Sequence, residues 1–479
     1  MKKKVLLVGA EVMPFAATGG LGDVLGSLPA AIAAADPEAD VRVVMPMYGQ
    51  IKAEWREKMT KLTEFTVTLA WRQQYCGVFS LVKDNVTYYF IDNEYYFKRD
   101  KLYGHLDDGE RYAYFCKAVI DMMPLLNYYP DILHAHDWQA ALSIIYLNTL
   151  YRHVPGYENM RTVFTIHNIE YQGKYDFGIL YDVFALDFSR YELLNYGGCI
   201  NLMKAAIQCA DRVSTVSPRY AKEILSPEYS HGLYHCLRDN AGKLSGILNG
   251  IDYVYYDPEH DKAIAQNFTS TSINKKYANK TALQRELSLP EDEKIPLLAI
   301  ISRLATHKGL DLITEIAYNL MKEHDAQLVI LGCGEHRYEE FFRYLEGQFP
   351  DKVRALITYD RDLSKRIYAA TDIFLMPSHS EPCGLSQMIA SRYGAIPVTR
   401  ETGGLYDSIK GYWEQGDVIH GNGFTFANYY AGELAERTGA ALALYADEQK
   451  RARLVRKIME TDFSWNVSAQ SYLRLYMSL

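Results

Sequence analysis

No apolar run in the 479 residues approaches the roughly 18 to 20 that a bilayer-spanning helix requires, so nothing in the sequence reads as a membrane segment. Cysteine is sparse and unpatterned. Cys76, Cys116, Cys199, Cys209, Cys236, Cys333 and Cys383 form an odd set with no C-x-x-C, which argues against a zinc ribbon or a disulfide framework and fits a reducing compartment. An excess of positive charge is also missing. Lys+Arg 51 stand against Asp+Glu 59, a formal balance of -8, so no global basic field exists to attract a nucleic-acid backbone. The start of the chain has lysines and a short apolar run from Met1 to Ala10, but Glu11 follows and no small-residue cleavage pattern closes it, so it reads as a first strand. Tandem repeats and low-complexity stretches are absent. The expectation is a soluble, cytoplasmic protein with no nucleic-acid or membrane partner.

What is present is ordinary globular material, 48% hydrophobic and 23% charged, in a length that predicts two domains of roughly 200 to 250 residues each. Short Val-, Ile- and Leu-rich runs recur, each followed by a turn signal and a stretch with helical spacing. That is the pattern of parallel strands joined by crossover helices. The first half offers Lys4 to Ala10, Val41 to Met45, Ile132 to Ala135, Val163 to Ile166, Arg212 to Val216 and Leu244 to Leu248. The second offers Leu297 to Ile301, Gln327 to Leu331, Ala355 to Thr358, Ile373 to Met376 and Ala395 to Thr399. Thr66 to Ala70, Val78 to Val82 and Thr87 to Ile91 are joined too closely for crossover helices and read as hairpin additions.

The fold class expected is therefore α/β, two Rossmann-like doubly wound domains facing a deep cleft. One domain spans 1–250, a second spans 251–461, and a segment 462–479 returns to the first domain. The polar stretch after Asn249-Gly250-Ile251-Asp252 marks the hinge, near 250–265.

In open α/β sheets ligands sit beyond the carboxyl ends of the strands, so residues just after each strand carry the search. Thr18-Gly19-Gly20-Leu21-Gly22-Asp23 follows the first strand and Thr402-Gly403-Gly404-Leu405 follows the last; glycines there let backbone N–H groups approach a ligand, although a tight turn is the plainer reading of either loop alone. Arg303 and Lys308, five residues apart after one strand, converge on one crevice and suit a diphosphate, where each preorganised donor is worth about 3 kcal/mol. Ser380-Glu381-Pro382-Cys383-Gly384-Leu385-Ser386 sets a carboxylate before a helix start, a pairing for sugar hydroxyls and a phosphate.

His134-Ala135-His136-Asp137-Trp138 and Val163-Phe164-Thr165-Ile166-His167-Asn168 end buried strands. A zinc site of His134, His136, Asp137 and His167 is weighed and set aside, because no further ligand cluster completes it and strand-end His and Asp beside a Trp suit sugar binding. At least one of His134 and His136 is expected to be buried, hydrogen-bonded and structural. Asp360-Arg361-Asp362 could hold a divalent metal, but a solvated loop is preferred because Arg303 and Lys308 make a metal unnecessary. Tyr359 beside it can offer an aromatic face to a nucleobase.

Taken together, these motifs resemble bacterial glycogen synthase and plant starch synthase, retaining glucosyltransferases of the two-domain GT-B type. The match rests on Thr18 to Val24, His134 to Trp138, Val163 to Asn168, Leu244 to Asp252, Ser302 to Asp311, Glu381 to Leu385, Thr402 to Leu405 and Asp462 to Trp465, nearly the whole chain in order. The resemblance implies transfer of glucose from ADP-glucose to the non-reducing end of an α-1,4-glucan, glycogen or a maltooligosaccharide, with configuration retained and with no cofactor and no metal. It implies that Arg303 and Lys308 bind the diphosphate and Glu381 holds glucose hydroxyls. Backbone groups of Cys383 to Ser386 face glucose and phosphate, while His167 and Asp137 contact the sugar with Asn249 in support.

By the same resemblance Tyr359 stacks on adenine, Thr18, Gly19, Gly20, Thr402, Gly403 and Gly404 border the donor, Asp23 is the acidic residue of the glycine loop, and Trp138 helps receive the glucan. Domain closure would bring Arg303, Lys308 and Glu381 over that glucan. Two departures stand out. Many family members carry Lys before the first T-G-G-L, where this sequence has Ala17, which leaves ADP- against UDP-glucose preference open and motivates the alternative of a decayed glucan-binding protein, beside a third reading as a sucrose- or trehalose-type glycosyltransferase using UDP-glucose. Ile389 stands where other retaining GT-B families place a second Glu, which favours the synthase resemblance over those relatives.

Overall fold

Lys4–Val8 is buried along all but its first residue and lies at the middle of a nine-stranded sheet, as a strand covered on both faces must. The computed structural model describes residues 3–416 and 418–479. These divide into two units, one formed by the chain up to Gly250 together with Trp465–Leu479, the other by Ile251–Ser464.

In the first unit the strand order is Leu244–Gly246, Arg212–Thr215, Arg161–Ile166, Ile132–His136, Lys4–Val8, Asp40–Pro46, Val86–Asp92, Arg72–Lys83 and Thr60–Leu69. The first seven run parallel, and the last two are antiparallel additions. Val86–Asp92 forms the expected antiparallel hairpin with Arg72–Lys83 and also pairs parallel with Asp40–Pro46, which joins that hairpin to the main sheet. Thr60–Leu69 runs in the same direction as Val86–Asp92, with Arg72–Lys83 antiparallel between them. A small three-stranded sheet, Lys174–Tyr175 with Cys199–Asn201 and Asn195–Tyr196, has strands too short to leave a periodic signal.

The helix Trp465–Met477 packs on the first helix, Gly20–Ala35, and buries Trp465, Ala469, Tyr472 and Tyr476. Asp462, Phe463 and Ser464, expected to start this returning segment, belong to the second unit, where Phe463 accepts from the Ile251 N–H at 2.8 Å.

The second unit holds a six-stranded parallel sheet ordered Val353–Leu356, Gln327–Leu331, Leu297–Ile301, Ile373–Met376, Ile396–Arg400 and Phe424–Phe426. The last strand was not anticipated: three residues beside glycines carry too little pattern to read. Trp413–Gln415 and Val418–His420 form a separate antiparallel pair.

Each sheet has a point where strand order reverses, and ligands of such sheets bind there. In the first unit it lies between Lys4–Val8 and Ile132–His136, which places Gly9 to Glu11 beside Asp137. In the second it lies between Leu297–Ile301 and Ile373–Met376, which places Ser302 to Lys308 beside Pro377 to Glu381. No described helix is long and apolar enough to cross a membrane.

Candidate active site

In the second unit, the strand ending at Ile301 leads to a single turn, Thr306–Lys308, and then to the helix Leu310–Glu323. Gly309 joins them at φ 72°, and a Cβ on it would fall 2.0 Å from the Pro377 carbonyl oxygen, so only glycine lets the lysine turn lie against the neighbouring strand end. The result is direct. Lys308 Nζ lies 2.7 Å from Glu381 Oε2, and Ser378 Oγ donates to the same oxygen at 3.1 Å. Glu381 is 6% exposed. A buried ion pair gains little net stability after desolvation, so its presence at the strand ends points to chemistry more than to folding.

The second glycine loop serves this pair from beneath. Gly403 adopts φ 44°, a Cβ there would sit 1.9 Å from the Glu381 carbonyl oxygen, and the Gly404 N–H donates to that oxygen at 3.0 Å. Gly404 therefore does not offer its N–H to a donor, as the sequence led us to expect. Gly403, Gly404 and the buried Thr402 form a support for the Glu381 loop. Cys383 is buried, and Gln387 Nε2 donates to the carbonyls of Cys383 and Gly384 at 3.2 and 2.9 Å, which braces the entry to the helix Ser386–Arg392. The first-turn N–H groups of that helix, around Leu385 and Ser386, have no intrahelical acceptor.

Arg303 is exposed and makes no ion pair with another of the described residues. Tyr359 is exposed as well, its hydroxyl accepting from Arg361 Nε at 3.0 Å. Asp360 caps the helix Arg361–Ala370 by accepting from the Leu363 N–H at 2.9 Å, so the D-x-D has a structural duty at its first carboxylate.

In the first unit, the glycine loop is gripped by a residue that sequence reasoning passed over. Glu11 is buried, and its carboxylate accepts from the N–H and hydroxyl of Thr18 and from the Gly19 N–H, at 2.5, 2.8 and 3.0 Å. The N–H groups of Thr18 and Gly19 thus hold a carboxylate of the chain itself, a correction to their expected role toward the donor. Gly20 opens the helix Gly20–Ala35, and Asp23 stands in its first turn. Glu11 had one signal in the sequence: it is the first charge after the first strand.

Asp137 starts the helix Asp137–Tyr146 with φ 57°, a conformation that costs a non-glycine residue energy and that clusters at functional sites. Its Oδ1 accepts from the His167 N–H at 2.7 Å. Burial, reinforced by the nearby Glu11 charge, pushes its carboxyl up to about 7, against the lowering effect of the His167 and Asn168 N–H groups. His136 Nδ1 and His167 Nε2 are 2.9 Å apart, and His136 Nε2 is buried without a partner.

His134 is spent on structure, with Nδ1 bonded to the Tyr476 hydroxyl at 2.8 Å and Nε2 to Thr165 Oγ1 at 2.6 Å. Burial drives His134 and His167 down to about 3 and His136 well below its ordinary value, so all three rings are neutral. Asn249 is buried with Oδ1 unpartnered. Trp138 is half-buried, its ring centroid 5.4 Å from that of Tyr112 and 6.1 Å from that of Tyr175, which gives it a packing role in an aromatic cluster.

The arrangement thus combines, at the carboxyl ends of one sheet, a carboxylate, a paired cation, an exposed arginine and a helix start. At the ends of the other it sets neutral imidazoles and a strained carboxyl group. Comparison with known proteins agrees with this. Residues 4–239 match the starch synthase catalytic domain family, and residues 280–460 match the family of glycosyl transferases group 1. The glycogen synthase of Bacillus subtilis is 45% identical over 475 residues, covering 99% of this chain and 97% of its own, and that of Clostridioides difficile is 44% identical with 99% of each covered.

Among solved structures, the catalytic domain of starch synthase IV from Arabidopsis thaliana, bound to ADP and acarbose, superposes with a TM-score of 0.91 at 34% identity, covering 100% of this chain and 99% of its own. Sucrose-phosphate synthase from Thermosynechococcus elongatus, 18% identical, shares the fold at a TM-score of 0.61 with 100% and 99% covered. Both units and the full length being accounted for, the chain belongs to the glycogen and starch synthase family, glycosyltransferases of the GT-B fold.

Proposed function

We propose that the protein transfers glucose from ADP-glucose to the non-reducing 4-hydroxyl of an α-1,4-glucan, glycogen or a maltooligosaccharide, with the anomeric configuration retained and without a metal ion. The observation that carries this is the Lys308–Glu381 pair at the strand-order reversal of the second unit. Lys308 and Arg303 stabilise the departing diphosphate, and Glu381 holds glucose hydroxyls. The first-turn N–H groups near Cys383, Gly384, Leu385 and Ser386 face phosphate and sugar. Tyr359 supplies a face for adenine, in keeping with its exposure.

On the first unit, His167 and Asp137 contact the transferred sugar, Asn249 offers its unpartnered oxygen on that side, and the face around Trp138 receives the glucan. No residue of the sequence stands out as a dedicated nucleophile. The reading is departure and attack on the same face of an oxocarbenium-like glucose, the leaving phosphate taking the proton of the incoming hydroxyl. The duty of Asp360 as a helix cap supports a diphosphate held by cations alone.

Ala17 favours a second reading only for donor choice, UDP-glucose in place of ADP-glucose. Incubation of the protein with each labelled donor, with and without glycogen, tests both. We expect ADP-glucose to label glycogen in α-1,4 linkages and ADP to appear only with acceptor. Label in a small sugar product, or none in the glucan, would remove the proposal.

A further inference from the structure

His379 sits between Ser378 and the Glu381 loop, and its backbone is held from two sides. Its N–H donates to the carbonyl of His307, the residue before Lys308, at 2.9 Å. Its carbonyl accepts from Arg400 Nη1 at 2.6 Å. Arg400 ends the strand Ile396–Arg400 just before the second glycine loop, so one guanidinium ties that strand end to the loop that carries Glu381.

The guanidinium is itself aimed. Its centre lies 5.4 Å over the Tyr429 ring, whose edge meets the His379 ring at 4.7 Å and 90°. The Tyr429 hydroxyl donates to Asp311 Oδ1, in the first turn of the helix that follows Lys308. A closed circuit results, from Asp311 through Tyr429 and Arg400 to His379 and back to His307. Arg400 Nε is buried in it with no partner. A group kept at the cost of an unsatisfied donor is doing something that packing alone would not require.

We propose that Arg400 is a positioning residue for the transfer reaction and that Tyr429 aims it. Together they fix the His379–Ser380 peptide and, through it, the register of the Glu381 carboxylate on Lys308 Nζ. Without the Arg400 donor, the His379 carbonyl is free to rotate away and the carboxylate two residues on moves with it. Neither residue touches donor or acceptor in this account. The inference rests on the reading of Lys308 and Glu381 as the groups that grip the sugar nucleotide.

The test compares Arg400→Met, Arg400→Lys and Tyr429→Phe in the full chain, by steady-state kinetics with ADP-glucose and glycogen, by thermal unfolding and by crystal structures. A misplacement of about 1 Å costs on the order of 10²-fold, so Arg400→Met is expected to lower kcat by about that factor with donor KM changed by less than about threefold. Arg400→Lys, which can still donate to the His379 carbonyl, is expected to recover most of the loss, and Tyr429→Phe to lose roughly tenfold. Unfolding temperatures stay near that of the parent.

A folded Arg400→Met with parental kcat overturns the proposal, as does a loss that Arg400→Lys leaves unrepaired. If Arg400→Met does not fold, Arg400→Lys and Tyr429→Phe decide it by the same kinetics. If the parent itself transfers no glucose, the functional reading fails separately. The positioning claim is then judged from the variant structures, where an undisturbed 2.7 Å contact between Lys308 and Glu381 sinks it.

Discussion

Removing Lys308 separates what its pair with Glu381 does for folding from what it does for catalysis. The two side chains are 17% and 8% exposed and meet at 2.7 Å, with Ser378 Oγ the other donor to the shared carboxylate oxygen. In Lys308→Ala the carboxylate keeps Ser378 but loses its counter-charge. A buried charge left alone destabilises by about 3 to 5 kcal/mol, and the access of water to this site reduces that to about 2 kcal/mol. The catalytic loss is a different quantity. One preorganised donor facing the departing diphosphate is worth about 3 kcal/mol, which is on the order of 10²-fold in turnover.

Glu381→Gln keeps the shape and leaves the unpaired charge on Lys308, the more exposed of the two and the one with the longer stem to reach water, so it is expected to destabilise by only about 1 kcal/mol while losing activity of similar order. The double variant then discriminates. With no buried carboxylate left, its stability returns towards that of the parent, yet its activity stays at or below that of either single variant. Urea unfolding gives the first quantity, and acceptor-dependent ADP release gives the second. A Lys308→Ala protein within about threefold of parental turnover, or a double variant as unstable as Lys308→Ala, would refute the reasoning.

Acid sensitivity is expected from His134, His136 and His167, whose folded values lie below the ordinary 6.5. Their contribution is present above that pH and is lost as pH falls, towards about 3 for His134 and His167, so the urea midpoint should drop below pH 6.5 and drop less steeply in His134→Asn. Asp137 has the opposite sign. Raised from 3.8 to about 7, it favours the fold below pH 4 and loses that contribution as pH rises through 7, so Asp137→Asn should be more stable than the parent at pH 8, by roughly 2 to 4 kcal/mol, while turning over more slowly. EDTA should leave turnover unchanged, and a loss restored by a divalent ion would revive the metal reading of Asp360 and Asp362. Ala17→Lys should lower the donor KM by about tenfold, one charge-assisted contact, and an unchanged KM would show that this position does not meet the donor.

The parts of the site legible in the sequence were those carried by strand ends. Lys308 and Glu381 follow short, uniformly apolar strands, so their place could be read from composition and order, and the structure joins them directly. The parts that escaped are those whose meaning lies in a distant partner. Gly404 read as a ligand-facing N–H because nothing near it in sequence announces the Glu381 carbonyl that it serves. Glu11 read only as the charge that ends an apolar run, since its three acceptor contacts depend on the loop at Thr18 folding back. His134 could be recognised as buried, but its partner Tyr476 lies at the far end of the chain. Phe424–Phe426 was invisible for a different reason: a strand of three residues buries too little to impose a period, and it exists because Ile396–Arg400 offers it an edge.

The helix Trp465–Met477 completes the first unit, although the whole of the second unit precedes it in the chain. During synthesis the ribosome makes the nine strands of the first sheet early and then spends roughly 10 to 40 s on the intervening stretch at ordinary elongation rates. Throughout that interval His134 lacks its tyrosine and the first helix lacks its cover, so the nascent protein carries an open apolar face that a chaperone can hold and a ribosomal stall would prolong.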